Sequence, residues 1–445
     1  VQARSTWSAA ALAALVLAVG APRAHAGNGD GVLLGNEAAM TGGAVRATVR
    51  DGSAVWYNPA GLASIDRDAV DVSGNAVQAR IAEEPGLISS TTGERNDGGY
   101  LEVVSIPSAA TLSRRIERDV TLALGIFAPR YEAHETRTGL DAQSGAASAR
   151  WTLSSAQTRQ TYHAGGALGL RISDQLRLGI SLFGVYRDSY DSFQTAGVFE
   201  LPTGDTHLLA RGGIRRIRSF GAELGLGIQW EPHPGVVIAL TGRSPGLELA
   251  TQIRVTTTDV DATLRGDELD ELSFLPVDRE SLAPGLAVLT PGHIAFALAH
   301  RFDRGWVALE LDVQPPFDIE GVLERRLVYN VRVGGRYEVD DRIGIGFGAF
   351  TDHSEGLPID QLGQTRVDFY GLAAGLEYRT PHRLGPEEGS RTLVFSTTFA
   401  VRYAFGVGEV AGLRFDPTRG TEPDTVALRT TIHEASLHIG SALYF

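Results

Sequence analysis

The sequence predicts an all-β chain, an antiparallel transmembrane β-barrel of about fourteen strands. Three observations carry that expectation. Apolar residues recur at every second position along most of the chain. The connections between these stretches alternate between short and long. The chain ends on a strand-like segment closed by an aromatic residue, Phe445.

The first element is an export signal over residues 1–26. Arg4 supplies a positive start, the run from Ala9 to Gly20 is apolar, and Ala24-His25-Ala26 is a small-x-small cleavage site before Gly27. The apolar run is too short to cross about 30 Å of hydrocarbon, and Pro22 follows it closely. After residue 27 no segment approaches the length of a transmembrane helix, so an exported chain of this kind is either soluble or a membrane barrel.

Composition narrows the chemistry. The 445 residues include 53 glycines and no cysteine, which suits tight turns and excludes disulfides, thiolate metal sites and cysteine nucleophiles. A formal net charge of -13 speaks against a nucleic-acid partner, because phosphate binding needs a basic surface.

Alternation is clearest at Val120, Leu122, Leu124 and Ile126; at Leu176, Leu178, Ile180 and Leu182; from Phe220 through Leu224, Leu226 and Ile228 to Trp230; and at Ile294, Phe296 and Leu298. A soluble sandwich would alternate as well, so the connections decide. Short turns are expected at 173–175, 231–235, 301–305 and 338–342. Long loops are expected at 131–158, 190–216, 254–290 and 404–428. Long connections gathered at one end are the outer-membrane pattern. At the chain end Leu437, Ile439, Leu443 and Phe445 share one face, and such a strand closed by an aromatic residue resembles the final strand by which the barrel assembly machinery recognises outer-membrane barrels.

The segment from Gly35 to Ala63 carries a Gly-Ala-rich stretch (Gly42, Gly43, Ala44), then Asp51-Gly52-Ser53-Ala54, then the turn Asn58-Pro59-Ala60-Gly61. It resembles the amino-terminal plug of the FadL/TodX family of outer-membrane hydrophobic-compound transporters. Gly125-Ile126-Phe127-Ala128-Pro129, Gly242-Arg243-Ser244-Pro245 and Leu289-Thr290-Pro291-Gly292 are weaker echoes of the same family. The resemblance implies a plug (hatch) over residues 27–65 inside a barrel formed by 66–445. It also implies a monomer in the outer membrane of a Gram-negative bacterium, bounded by lipid and lipopolysaccharide. The implied function is passive uptake of long-chain fatty acids or aromatic hydrocarbons. Related barrels serve protein export, so a non-transporting scaffold or shuttle is the alternative. In that family the third strand kinks inward and opens a gap in the wall. Gly125 and Pro129 are the candidates for such an opening here, with Asn58 to Gly61 expected to face it.

No catalytic constellation, cofactor motif or Walker A sequence is present, and an enzyme is not expected. The acidic run Asp267-Glu268-Leu269-Asp270-Glu271 lacks the ligand spacing of a calcium loop, and the histidines lack metal-binding spacing, so no metal is expected. Gly344, Gly346 and Gly348 alternate within a strand and form no dinucleotide fingerprint. If the apolar faces meet lipid, the lumen receives Glu310, Asp312, Asn330, Arg332, Arg336, Arg402, Glu434 and His438. These polar groups suit either a salt-bridge network holding the plug or a carboxylate site for an amphipathic ligand.

Overall fold

The structure is a computed structural model that describes residues 31–445 apart from 266–267, 284–291, 320–322, 355, 357, 360–361, 384–391 and 420. The expected export signal, the start of the expected plug, Asp267 and residues 289–291 lie outside the described residues.

Eighteen strands are described. The first six are β1 (Ala69–Ser90), β2 (Arg95–Glu117), β3 (Val120–Ser144), β4 (Ala147–Arg171), β5 (Leu176–Glu200) and β6 (Asp205–His233). They are followed by β7 (Val236–Arg243), β8 (Leu247–Arg265), β9 (Glu268–Ala283), β10 (His293–Phe302), β11 (Gly305–Gln314), β12 (Phe317–Ile319) and β13 (Leu323–Arg325). The last five are β14 (Val328–Glu338), β15 (Ile343–Asp352), β16 (Thr365–Arg383), β17 (Thr392–Phe415) and β18 (Asp424–Tyr444).

Fourteen of these form the wall, each paired antiparallel with its neighbours in chain order, and the β1–β18 pairing closes the cylinder. The other four are outgrowths. β8 continues the line of β7 along the upper half of β6 and carries β9, while β12 and β13 make a small separate hairpin.

The alternation read from the sequence becomes the two faces of this wall. On β6 the side chains of Phe220, Leu224, Leu226, Ile228 and Trp230 are exposed, whereas Glu223 and Gln229 between them are buried. The same inversion holds on β11, where Val307, Leu309 and Leu311 face out and Glu310 and Asp312 face in. Apolar outside and polar inside costs free energy in water and is favourable only in hydrocarbon, so this is a membrane-spanning barrel. Tyr329 and Tyr337 on β14, and Tyr370 and Tyr378 on β16, mark the two edges of the apolar band. Their spacing corresponds to roughly 26 Å along the strand. Exposed Leu437, Ile439, Leu443 and Phe445 complete the band on the last strand.

One expectation is corrected. The stretches 131–158 and 190–216 are strand except for their tips, and 404–428 is strand except between Phe415 and Asp424. β3, β4 and β5 each run 25 residues and β6 runs 29, against the ~10 that cross a membrane. Above the band the outward positions become polar, which reads as loop in sequence, yet the backbone ladder continues to tight tips at 145–146 and 201–204. The region 254–290 behaves alike through β8 and β9, as far as it is described. At the opposite end the turns are short, as expected. In the turn at 339–342 the Asp340 carboxylate accepts from the N–H groups of Arg342 (2.7 Å) and Ile343 (2.8 Å), which holds its carboxyl below the usual range.

Residues 31–65 run inside the wall. They form two short helices, α1 (Asn36–Met40) and α2 (Ala54–Tyr57), then a 3-10 turn over Pro59–Ser64. Their apolar side chains, among them Leu34, Met40, Val45, Val49, Val55 and Leu62, are buried. α1 packs on β15 to β18, and the 3-10 turn packs on β3 to β6, so the segment is gripped from both sides of the cylinder. Glycines make that approach possible. A Cβ at Gly179 on β5 would fall on the backbone of Pro59 and Ala60, and one at Gly346 on β15 would meet Met40 Cβ at 2.7 Å.

Candidate functional site

The inner segment 31–65, called the plug below for its place inside the wall, is held by buried charge. Arg46 lies in the otherwise small, apolar run Ala44 to Ala47, and its guanidinium meets Glu310 at 2.9 Å and Asp312 at 2.6 Å on β11. Its backbone N–H also donates to Glu310 at 2.5 Å. Arg332 on β14 stands behind the same carboxylates, 4.0 Å from Glu310 and 3.7 Å from Asp312. The Arg46 carbonyl accepts from Asn58 Nδ2 (2.8 Å) and from Gln229 Nε2 (3.0 Å). Asn58 thus links the anchor to its own turn, where its Oδ1 accepts from the Ala60 N–H at 3.1 Å.

Asn58, Pro59, Ala60 and Gly61 are buried and seat against β4, β5 and β6. They do not face the β2–β3 seam as expected. The plug residue at that seam is Trp56, whose ring lies 5.5 Å from Phe127 on β3 and 5.8 Å from Phe183 on β5. Arg243 at the end of β7 holds Trp56 in place. Its guanidinium sits 3.8 Å above the indole, donates to the Trp56 carbonyl at 2.6 Å, and pairs with Glu223 at 2.9 Å.

The seam between β2 and β3 is where the wall changes. The two strands pair from Glu117↔Val120 up to Ala109↔Phe127, and their pairing ends there. β2 stays laddered to β1 above that point, and β3 stays laddered to β4 after a break over Ala128 and Pro129. Pro129 therefore lies inside a continuous strand and does not end it. Across the seam Pro107 on β2 sits at a register shift against β1. Neither proline has an N–H to donate, so the seam carries one on each side. Gly125, one step below, leaves room for the Phe127 ring, which a Cβ there would meet at 2.5 Å.

Above the last backbone pair the strands are joined by side chains. Glu102 Oε1 on β2 accepts from the Ala133 N–H of β3 at 2.7 Å. Tyr100 stacks on His134 with ring centroids 4.4 Å apart. Higher still, Thr138 donates to the Asp97 carbonyl and Asn96 to the Gly139 carbonyl. Between the Ala109–Phe127 sill and the Glu102–Ala133 bridge lies a stretch of roughly 15–20 Å without backbone pairing. Its inner side is apolar over most of its height, with Val104, Ile106, Phe127, Ala128, Tyr131 and, from the inner segment, Trp56, and turns polar at its upper end, where Arg130 and Glu132 join the luminal pocket.

The lumen above the plug is layered. At the outer mouth Trp151, Phe199 and Phe415 pack with centroids 5.7 to 6.5 Å apart. Beside them a cavity of about 510 Å³ is lined by Phe193, Leu209, Leu362 and Leu413, with Asp191, Arg211 and Arg215 at its polar side. Beneath lies a charged layer. Arg80 donates to Glu434 at 2.6 Å, Arg402 pairs with Glu434 and stacks on Phe350, and Arg130 meets Glu132 at 3.2 Å. A pocket of about 80 Å³ lies among Arg80, Arg130, Arg159, Tyr100, His134 and Asp352.

The luminal candidates read from the sequence are all on inward faces, but they do not converge. Glu310 and Arg332 belong to the plug anchor, and Arg402 to the charged layer. Arg336 pairs with Glu338 and Glu377 toward the short-turn end. His438 lies 3.4 Å from Asn36 at the start of α1. Sequence reasoning missed Arg46, Trp56, Arg80, Glu102 and Pro107. The signal for Pro107 was a second proline in an alternating stretch, and for Arg46 a lone charge among small residues. Among the described residues no cluster of three or more acidic or histidine side chains is placed to hold a metal, and no helix is long and apolar enough to cross a membrane.

Known structures share this architecture. A FadL homologue from Pseudomonas aeruginosa aligns over 94% of this chain and 99% of its own, with a TM-score of 0.61 at 11% identity. The CymD monoaromatic hydrocarbon channel aligns over 93% and 97%, with a TM-score of 0.54 at 12% identity. The toluene transporter TodX of Pseudomonas putida aligns over 94% and 99%, with a TM-score of 0.53 at 13% identity. At these identities the likeness is one of fold, and it extends over nearly the whole chain. No protein-family model and no curated protein matches the sequence.

Proposed function

We propose that the protein is a passive outer-membrane channel for hydrophobic or amphipathic small molecules, long-chain fatty acids or aromatic hydrocarbons, which leave sideways through the β2–β3 window into the bilayer. The observation that carries this reading is the stretch of wall, bounded by Ala109–Phe127 and Glu102–Ala133, in which strand pairing stops and apolar side chains line the inner side. A barrel wall in hydrocarbon ordinarily satisfies every backbone group by pairing, so an interruption needs a reason. An apolar solute gains nothing from an aqueous pore, but it gains transfer free energy by passing from an apolar lining directly to lipid.

The layered lumen supports the amphipathic side of the range. A ligand held in the mouth cavity must pass the layer of Arg80, Arg130, Arg159 and Arg402 before it reaches the window. A head group that accepts hydrogen bonds exchanges with the carboxylates already there, whereas a bare hydrocarbon disturbs buried ion pairs and returns nothing. No nucleotide site is recognisable in the sequence, so the movement is downhill diffusion.

Mass spectrometry of organic extracts from the purified barrel tests this reading. We expect one class of fatty acid or aromatic compound, enriched over the surrounding lipid and lost when Phe127 and Trp56 are changed to charged residues. Extracts that match bulk lipid, together with stoichiometric co-purification of protein-export components, would favour the scaffold role instead.

A further inference from the structure

We propose that Glu102 is a positioning residue that sets the upper edge of the window, an inference that rests on the window being the ligand route. The backbone N–H of Ala133 faces a seam where no strand carbonyl pairs with it, and Glu102 Oε1 receives it at 2.7 Å. One carboxylate oxygen thereby replaces a missing ladder bond. The side chain is 4% exposed, although Leu101 and Val103 on either side of it face outward. Its Oε1 is spent on the seam, while Oε2 faces Arg80 at 3.7 Å.

The position of this bond matters because of what lies beyond it. The next cross-seam hydrogen bond above Glu102 is that of Thr138 to the Asp97 carbonyl, five residues farther along each strand. Among the described residues, the Tyr100–His134 ring stack is what stands between the two. With Glu102 in place the opening ends at Ala133; without it, the opening extends toward Thr138. The same carboxylate is 3.7 Å from Arg80, which donates to Glu434 in the charged layer. Arg80 holds Glu102 from the luminal side, so the edge of the window is braced against the layer that the ligand crosses.

The test is hydrogen exchange at the Ala133 amide in the full-length barrel, with the β3–β4 ladder amides as internal reference. Glu102→Ala removes the acceptor, and Glu102→Gln keeps a carbonyl oxygen while removing the charge. Loss of one such bond corresponds to exchange about tenfold faster at Ala133 in Glu102→Ala, with Glu102→Gln close to the parent. An unchanged rate in Glu102→Ala overturns the proposal. Equal acceleration in both variants overturns it too, because the effect would then belong to the charge beside Arg80 and not to the acceptor. Thr138→Val is a second probe: it should leave Ala133 protected, and loss of protection there would place the edge at Thr138 and contradict the assignment to Glu102. Uptake of dodecanoate and of a bulky dye-labelled dodecanoate by the same variants separates the two claims. Faster exchange at Ala133 with no change in the ratio of bulky to slim uptake would uphold the role of Glu102 and count against the window as the route.

Discussion

Replacing Arg46 with alanine should free the plug without unfolding the barrel. Arg46 is the plug's charged contact with Glu310 and Asp312, whose side chains are 0% and 3% exposed. Removing one partner of a buried pair leaves the other uncompensated and costs about 3–5 kcal/mol. Arg332 remains at 3.7 to 4.0 Å from the same carboxylates, which places the loss at the lower end, about 3 kcal/mol. At 1.4 kcal/mol per factor of ten, that raises the released fraction of plug about a hundredfold. The wall is untouched, since its strand pairing does not involve the plug. A cysteine introduced at buried Ala47, in a chain that has none of its own, reports release through its rate of labelling by a hydrophilic maleimide. Labelling should accelerate about a hundredfold in Arg46→Ala, and addition of Glu310→Gln with Asp312→Asn should recover part of the loss by neutralising the stranded carboxylates. Acceleration below about threefold would mean that glycine-backed packing alone holds the plug and that the ion pairs contribute little.

Two further outcomes follow from the fold. Gly179→Val places side-chain atoms on the backbone of Pro59 and Ala60; overpacking of this kind costs about 1–3 kcal/mol, so the Ala47 cysteine should label about tenfold faster in an assembled barrel. Unaltered labelling would show that the 3-10 turn can shift away from β5. Trypsin added to intact cells should cut after exposed Arg419 at the β17–β18 tip and spare Arg304, which is also exposed but in the short turn between β10 and β11. Cleavage at Arg304 alone would invert the topology.

The wall was legible in the sequence because membrane strands alternate with period two, and Phe220 to Trp230 kept that period for a full crossing. The upper halves of the strands were not legible. Around 190–216 polar residues such as Asp191, Gln194, Thr195 and Arg211 interrupt the apolar ones on both faces, and the period-two signal is lost although the ladder persists and Phe199 and Leu209 still point into an apolar mouth. The turn Asn58 to Gly61 was legible as a motif, but its seat was not, because Gly169, Gly179 and Gly227 become a docking surface only when three strands are placed side by side. Pro129 was legible as a position lacking a donor. Its counterpart Pro107 and the Glu102 bridge required the register between β2 and β3, which no local pattern encodes.

The central claim is that ligand leaves through the seam between β2 and β3. The most direct test closes it with a disulfide, using cysteine pairs introduced between residues 103–108 on β2 and 128–132 on β3, in a protein whose own sequence supplies no competing thiol. Uptake of a fatty acid by cells carrying the cross-linked barrel should fall to the level of cells without the protein, and a reductant should restore it. Uptake that continues unchanged with the disulfide verified by mass spectrometry would contradict the lateral route and leave passage past the plug, beside Arg46, as the path.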